Sequence, residues 1–193
     1  MSTIFLSASV PVPGRGRFFE TADPFLIQLA VRQLVVATIR EWHIVWGGHP
    51  AITPMVWNVC EDIGVSYAER FTLYQSEFFE SDFPEENHRF QNLVVVKGVP
   101  GDREASLAAL RREMLSRPDL RAAVFVGGME GVIQEYELFR EYHPAAPVLP
   151  VTASGGAARE LAVVLNMPDV ESPTVDFARL FQEWLSMQSD VNP

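Results

Sequence analysis

The sequence predicts an α/β fold: one domain with a mainly parallel sheet flanked by helices. Three observations carry this expectation. Short apolar runs alternate along the chain with segments of helical period, the pattern of strands joined by crossover helices. The 193 residues, 48 % of them hydrophobic, suit one domain with one sizeable core. No internal repeat, low-complexity tract or linker divides the chain, so residues 1–193 read as a single unit.

The elements follow in order. Ile4 to Ala8 reads as a central strand, ending in a loop that holds Pro11, Pro13, Gly14 and Gly16. Pro24 opens a helix with Leu26, Leu29, Ala30, Leu34 and Val35 on one face, since proline suits the first helical turn. His43 to Trp46 is a second strand, stopped by Gly47-Gly48-His49-Pro50. Thr53-Pro54 begins a helix whose inner face is Val56, Val59, Cys60 and Ile63, which makes Cys60 an inert core thiol. Two more strands are expected near Arg70–Tyr74 and Leu93–Val96. Asp102 is the side-chain acceptor capping a helix from about Arg103 to Ser116. Ala122 to Val126 is a strand ending at Gly127-Gly128, and a helix follows through Glu135 and Phe139. The strand Val148–Val151 leads through Ser154-Gly155-Gly156 into a helix at Ala157–Leu165. The last helix, from about Val175 to Met187, spaces Phe177, Leu180, Phe181, Trp184 and Leu185 as a packing face for the sheet or for a second subunit.

Charge narrows the function classes. The formal net charge of −10 argues against a duplex-DNA or anionic-membrane binder, because both need a basic face. One cysteine excludes a disulfide scaffold and a Cys-rich zinc module. His43, His49, His88 and His143 are dispersed without metal-ligand spacing, so no metal and no cofactor is expected. The N-terminal segment lacks the basic start and apolar length of a signal peptide, and no run approaches the ~20 residues of a membrane span. The expected location is cytoplasmic. Lys97 is the only lysine among 15 basic residues; arginines lying in loops beside glycine are those suited to bidentate recognition of phosphate or carboxylate.

Four strand ends look alike: Ser7-Ala8-Ser9, Gly47-Gly48-His49, Gly127-Gly128-Met129-Glu130-Gly131 and Ser154-Gly155-Gly156. Small residues at strand-to-helix turns let a ligand approach the backbone, and the next helix offers free N–H groups to an anion. In a parallel sheet these turns gather on the carboxyl edge, where such folds bind ligands. Glu130 and Glu135 beside the third turn suit ribose hydroxyls or a base N–H rather than phosphate. A phosphate fits better on Gly47-Gly48 or Gly155-Gly156, with Arg15 or Arg17 reaching from the first loop. A nucleotide-like ligand satisfies both halves. Between two strands, segment 77–90 mixes Glu77, Glu80, Asp82, Glu85 and Glu86 with Phe78, Phe79, Phe83 and Phe90, and reads as a lid, a subunit contact or a flap folded on the core.

The stretch Gly127-Gly128-Met129-Glu130-Gly131-Val132-Ile133-Gln134-Glu135 resembles the PGGxGTxxE motif of LOG-type phosphoribohydrolases, which act on nucleoside monophosphates. More broadly, the ordered loops are similar to the SLOG superfamily, and the resemblance covers nearly the whole chain. Phe5 to Pro11, Phe19 to Pro24 and Gly47 to Pro54 look like one SLOG cluster. The resemblance implies a Rossmann-like domain that binds a nucleotide or NAD-derived signal in bacterial defence or signalling. It also implies a homodimer and an effector protein as partners. Val126 and Val132 depart from the motif's proline and threonine. The enzymes also carry an upstream Met-His-x-Arg-Lys segment whose arginine works with the motif glutamate. No such segment is read in this chain, His88-Arg89 being a faint echo. Glu135 thus matches the catalytic glutamate by position but lacks its arginine, which favours binding over hydrolysis, with a structural subunit whose glycine loops are vestigial as the third reading.

Overall fold

The computed structural model describes residues 2–189 and is built around β1 (Ser2–Ser9), whose Ile4, Phe5 and Leu6 are wholly buried. Alternation along β1 sends Ile4 and Leu6 to one face of the sheet and Phe5 to the other, so β1 anchors two core layers. Five further strands, β2 (Trp42–Trp46), β3 (Phe71–Ser76), β4 (Asn92–Val96), β5 (Leu120–Gly127) and β6 (Val148–Val151), complete one sheet in the order β4-β3-β2-β1-β5-β6. Every strand pair is parallel. The chain steps outward from β1 to β4, then crosses back to place β5 on the other side of β1. The order therefore reverses between β1 and β5, and a crevice opens at their carboxyl ends.

Helices cover both faces. On one lie α1 (Pro24–Thr38), α2 (Thr53–Ile63) and α6 (Phe177–Ser189); on the other lie α3 (Arg103–Leu115), α4 (Glu130–Tyr142) and α5 (Gly156–Val164). Pro24 and Asp102 act at their helix starts as expected, and the structure adds a cap at Asp23. Asp23 caps α1 by accepting from the N–H groups of Phe25 and Leu26, with Pro24 as first helical residue. Asp102 caps α3 through the N–H of Ala105 at 2.9 Å. Cys60 is buried in the α2 layer, and burial pushes its thiol up to about 11.

Several expectations shift. The third strand starts at Phe71, not Arg70, because Val65–Arg70 winds into a 3₁₀ turn, and it runs on to Ser76. The α1 face also includes Ile27 and Val31. The aromatic stripe of the last helix is taken up within the chain: Phe177, Phe181, Trp184 and Leu185 are buried against α1 in the core. Segment 77–90 forms two 3₁₀ turns, Glu77–Asp82 and Glu85–Arg89. Phe90 is buried among Trp46, Trp57 and Phe71, while Phe78 and Phe79 meet edge to face away from the core. Among the described residues, no helix is long and apolar enough to cross a membrane.

Because Phe181 is fully buried between α6 and the α1 layer, Phe181→Ala is expected to lower stability by about 3–5 kcal/mol, read from urea unfolding.

Candidate functional site

A cleft of about 600 Å³ opens at the carboxyl edge, where the sheet order reverses. Its base is the end of β1 (Ser7, Ala8, Ser9) and the turn after β2 (Gly47, Gly48, His49). One wall is α3, through Arg103, Glu104, Leu107 and Arg111. The other is the start of α4, from Met129, Glu130 and Gly131 to Glu135. Arg15, Gly16, Arg17 and Phe18 form the rim.

Glu135 lies one turn into α4 and points back at β1. Its Oε2 accepts from Ser7 Oγ at 2.5 Å, and its Oε1 accepts from Arg111 Nε at 3.5 Å. Arg111 also donates from its NH1 to Gln134 Oε1 at 2.8 Å. The side chains of Arg111 and Glu135 are only 13 % and 19 % exposed, so this pair sits at the floor of the cleft rather than on the surface. Burial raises the Glu135 pKa above the ordinary range; the Arg111 charge and the Ser7 hydrogen bond oppose that shift without cancelling it. The expectation that Glu135 lacks an arginine is therefore corrected. Arg111 supplies one from α3, the helix preceding β5. The signal was present: Arg103, Leu107 and Arg111 recur every four residues and share one face of α3.

The glycine turns divide into two kinds. Gly47 and Gly48 face the cleft, held from β3 by the Gln75 side-chain amide, which donates to the Gly47 carbonyl. Gly127, Gly128, Ser154, Gly155 and Gly156 do not line it. They bring chain against chain: the Gly128 N–H donates to Ser9 O at 2.8 Å, and the Ala157 N–H to Gly128 O at 3.0 Å. Ser154 Oγ accepts from the Gly127 N–H at 2.8 Å and donates to Val151 O at 2.6 Å. The N–H of Gly156 is taken by Thr21 Oγ1 at 3.2 Å. Here the expectation of a phosphate on Gly155-Gly156 meets a structural reason against it, because the protein itself occupies the approach to that turn.

His49 turns its Nδ1 to the Ala51 N–H at 3.2 Å, which leaves the proton on Nε2, and burial lowers its pKa. His49 therefore lines the cleft as a neutral imidazole with an N–H to donate. Arg17 stands at the rim but is paired in bidentate fashion with Glu160 of α5, at 2.8 and 2.6 Å. Arg15 lines the rim and forms no ion pair among the described residues. Glu130 opens α4, where the helix dipole favours its charge, and no side chain caps that helix. Segment 77–90 contributes no lining residue; it touches the α3 wall through Phe79, whose ring lies under the Arg103 guanidinium at 5.7 Å. The described residues hold no group of three or more His, Cys, Asp or Glu side chains arranged for a metal ion.

Three outcomes are expected. Gly155 has φ +70°, and a Cβ there would lie 1.9 Å from Thr21 O, so Gly155→Ala should lower stability by about 1–3 kcal/mol or more in urea unfolding. Glu135 retains its proton in the folded state at a pH where the unfolded chain has lost it. Relative to Glu135→Gln, wild-type stability should therefore be fully present below the ordinary Glu range and decline as pH rises through the raised folded value, seen in unfolding curves from about pH 4 to pH 8. Arg111→Ala should push the Glu135 titration higher still, as followed by carboxyl NMR.

No curated protein matches the chain. Among solved structures, the X-ray structure of TM1055, a Northeast Structural Genomics Consortium target, is similar to it with a TM-score of 0.49 and 14 % identity, over 84 % of this chain and 81 % of that one. The model of the SLOG cluster3 family matches residues 17–185, a span that includes Arg17 and Phe18 of the rim, both walls and every strand after β1. With that match over most of its length, the chain belongs to the SLOG cluster3 family.

Proposed function

We propose that the carboxyl-edge cleft binds a nucleotide or NAD-derived small molecule. One observation carries the reading: guanidinium groups and carboxyls line the same cleft at the point where the sheet order reverses. Arg15, Arg103 and Arg111 suit phosphoryl oxygens, whereas Glu130 and the His49 N–H suit sugar hydroxyls and base edges. Membership of a SLOG family supports a nucleotide-related role in general. Following the resemblance, the role is that of a sensor in bacterial defence or signalling, acting as a homodimer on an effector protein. Such a dimer would use a surface other than the α6 stripe, which is already buried.

A second reading has its own support. Arg111 beside Glu135 is the pairing that N-glycosidic hydrolysis calls for. In that reaction Glu135 takes a proton from water as the water oxygen bonds to C1′. The C1′–N bond breaks, the base leaves with its electron pair, and the proton passes to the base. Arg111 and Ser7 hold the carboxyl in place for the transfer.

A thermal-shift panel of AMP, ADP-ribose and cyclic ADP-ribose isomers tests the binding reading. A ligand at a hundredfold excess over its Kd adds about 2.7 kcal/mol, a rise of several degrees in Tm. No shift with any of them would sink it. Chromatographic detection of base released from AMP, abolished in Glu135→Ala, would establish the second reading; shifts without base release would leave binding alone.

A further inference from the structure

The geometry points to a second ligand site, at the amino edge of the sheet, that takes a small monocarboxylic acid bearing a hydroxyl group. A cavity of about 500 Å³ opens there and shares no lining residue with the carboxyl-edge cleft. Its floor is a row of polar side chains: Thr3 of β1, His43 of β2, Thr72 of β3 and Asn92 of β4. Two residues further along each strand, the same face carries Phe5, Val45, Tyr74 and Val94, which belong to the apolar layer beneath α3 and α4. Four strands thus change from polar to apolar at the same step. Thr3 and Thr72 are nonetheless buried, so the row is a recess and not a solvated surface.

Arg117, in the turn between α3 and β5, selects the ligand. Its Nε and NH2 donate to the two oxygens of Asp119 at 2.9 and 2.7 Å, and its NH1 donates to the hydroxyl of the buried Tyr74 at 3.3 Å. Asp119 is itself fixed, accepting from Thr3 Oγ1 at 3.0 Å. These bonds use three of the five guanidinium N–H groups and leave one on each terminal nitrogen, a pair that can grip both oxygens of a carboxylate. The charges acting at His43 are those of Arg117, Asp119 and Arg70, two positive and one negative, while burial lowers the pKa of the imidazole and keeps it neutral. One negative charge balances that set. The second charge of a phosphate would meet Asp119 with nothing left to offset it.

The other lining groups suit the body of the acid. Asn92 Nδ2 donates to the carbonyls of Glu69 and Phe71 at 3.0 and 3.1 Å, so its Oδ1 remains to accept from a ligand hydroxyl. His43 Nε2 and Thr72 Oγ1 share a hydrogen bond of 2.7 Å, which holds the ring across the floor. Val94 adds an apolar contact.

Imidazole NMR of the full chain tests the site, because His43 lines this cavity and His49 lines the carboxyl-edge cleft. L-lactate, propionate and inorganic phosphate are titrated separately at one pH and one ionic strength. Lactate is expected to shift His43 to saturation with a Kd of about 1 mM or tighter, and to leave His49 in place. Propionate, which lacks the hydroxyl, should bind at least about fivefold more weakly, and phosphate more weakly than lactate. Arg117→Gln should abolish the lactate response. Asn92→Trp, at an exposed position, fills the cavity from the sheet edge and serves if the first variant fails to fold by circular dichroism. The inference is overturned by a His43 signal that lactate does not move, by His43 and His49 shifting together, or by a response that survives in a folded variant. Propionate or phosphate binding as tightly as lactate overturns it as well.

Discussion

Three strand ends are drawn together so tightly that only glycine backbone fits between them, and the site depends on that contact. The Gly127-Gly128 turn after β5 lies against Ser9 of β1 on one side and against the start of α5 on the other, joined by hydrogen bonds from the Gly128 and Ala157 N–H groups. Both glycines have positive φ, and a Cβ at Gly128 would stand 2.1 Å from Val132 Cγ2. Ser154 and Thr21 fasten the same region from β6 and the first loop. This clasp sets where α4 begins. The start of α4 in turn sets where Glu135 meets Ser7, because Glu135 lies a fixed one and a half turns further along a rigid helix.

The clasp also explains why the glycines after β5 and β6 differ in role from those after β2. Gly47 and Gly48 follow a strand whose next helix, α2, lies on the opposite face from α3 and α4, so their turn lines the cleft, with Gln75 and Leu73 packed against Gly48 from β3. The turns after β5 and β6 are followed by α4 and α5, which pack on the same face and against each other. Their glycines serve that packing. The same residue type in the same kind of turn thus opens a cleft in one place and closes a joint in another.

Electrostatically the site runs counter to the molecule. The chain carries −10 overall, yet the cleft gathers Arg15, Arg17, Arg103 and Arg111 on its rim and α3 wall. Arg17 is held by Glu160 and Arg111 by Glu135, so part of this positive charge is balanced within the protein. The consequences differ with exposure. The Arg17 pair lies in solvent and contributes little to stability, whereas the Arg111 pair is shielded from water and offsets part of the rise that burial imposes on the Glu135 pKa.

Much was legible in the residues themselves. The parallel α/β fold, the cap at Asp102, the helix opening at Pro24, the strand Val148–Val151 and the cleft-facing Ser7, Gly47 and Glu135 all follow from periodicity, turn chemistry and motif resemblance. These are local properties, in which a residue's neighbours in sequence are also its neighbours in space. What the tertiary structure decided is which distant groups meet. Arg111 reaches Glu135 across 24 positions because α3 and α4 pack side by side, and Arg17 finds Glu160 across 143 because the first loop folds over α5. The α6 stripe turned inward rather than toward a partner because α1 presents a matching apolar face. Sequence alone determined what each segment would become and which chemistry it could carry. Only packing decided which charges would share a cleft, since that depends on crossings of the chain that leave no periodic trace in the order of its residues.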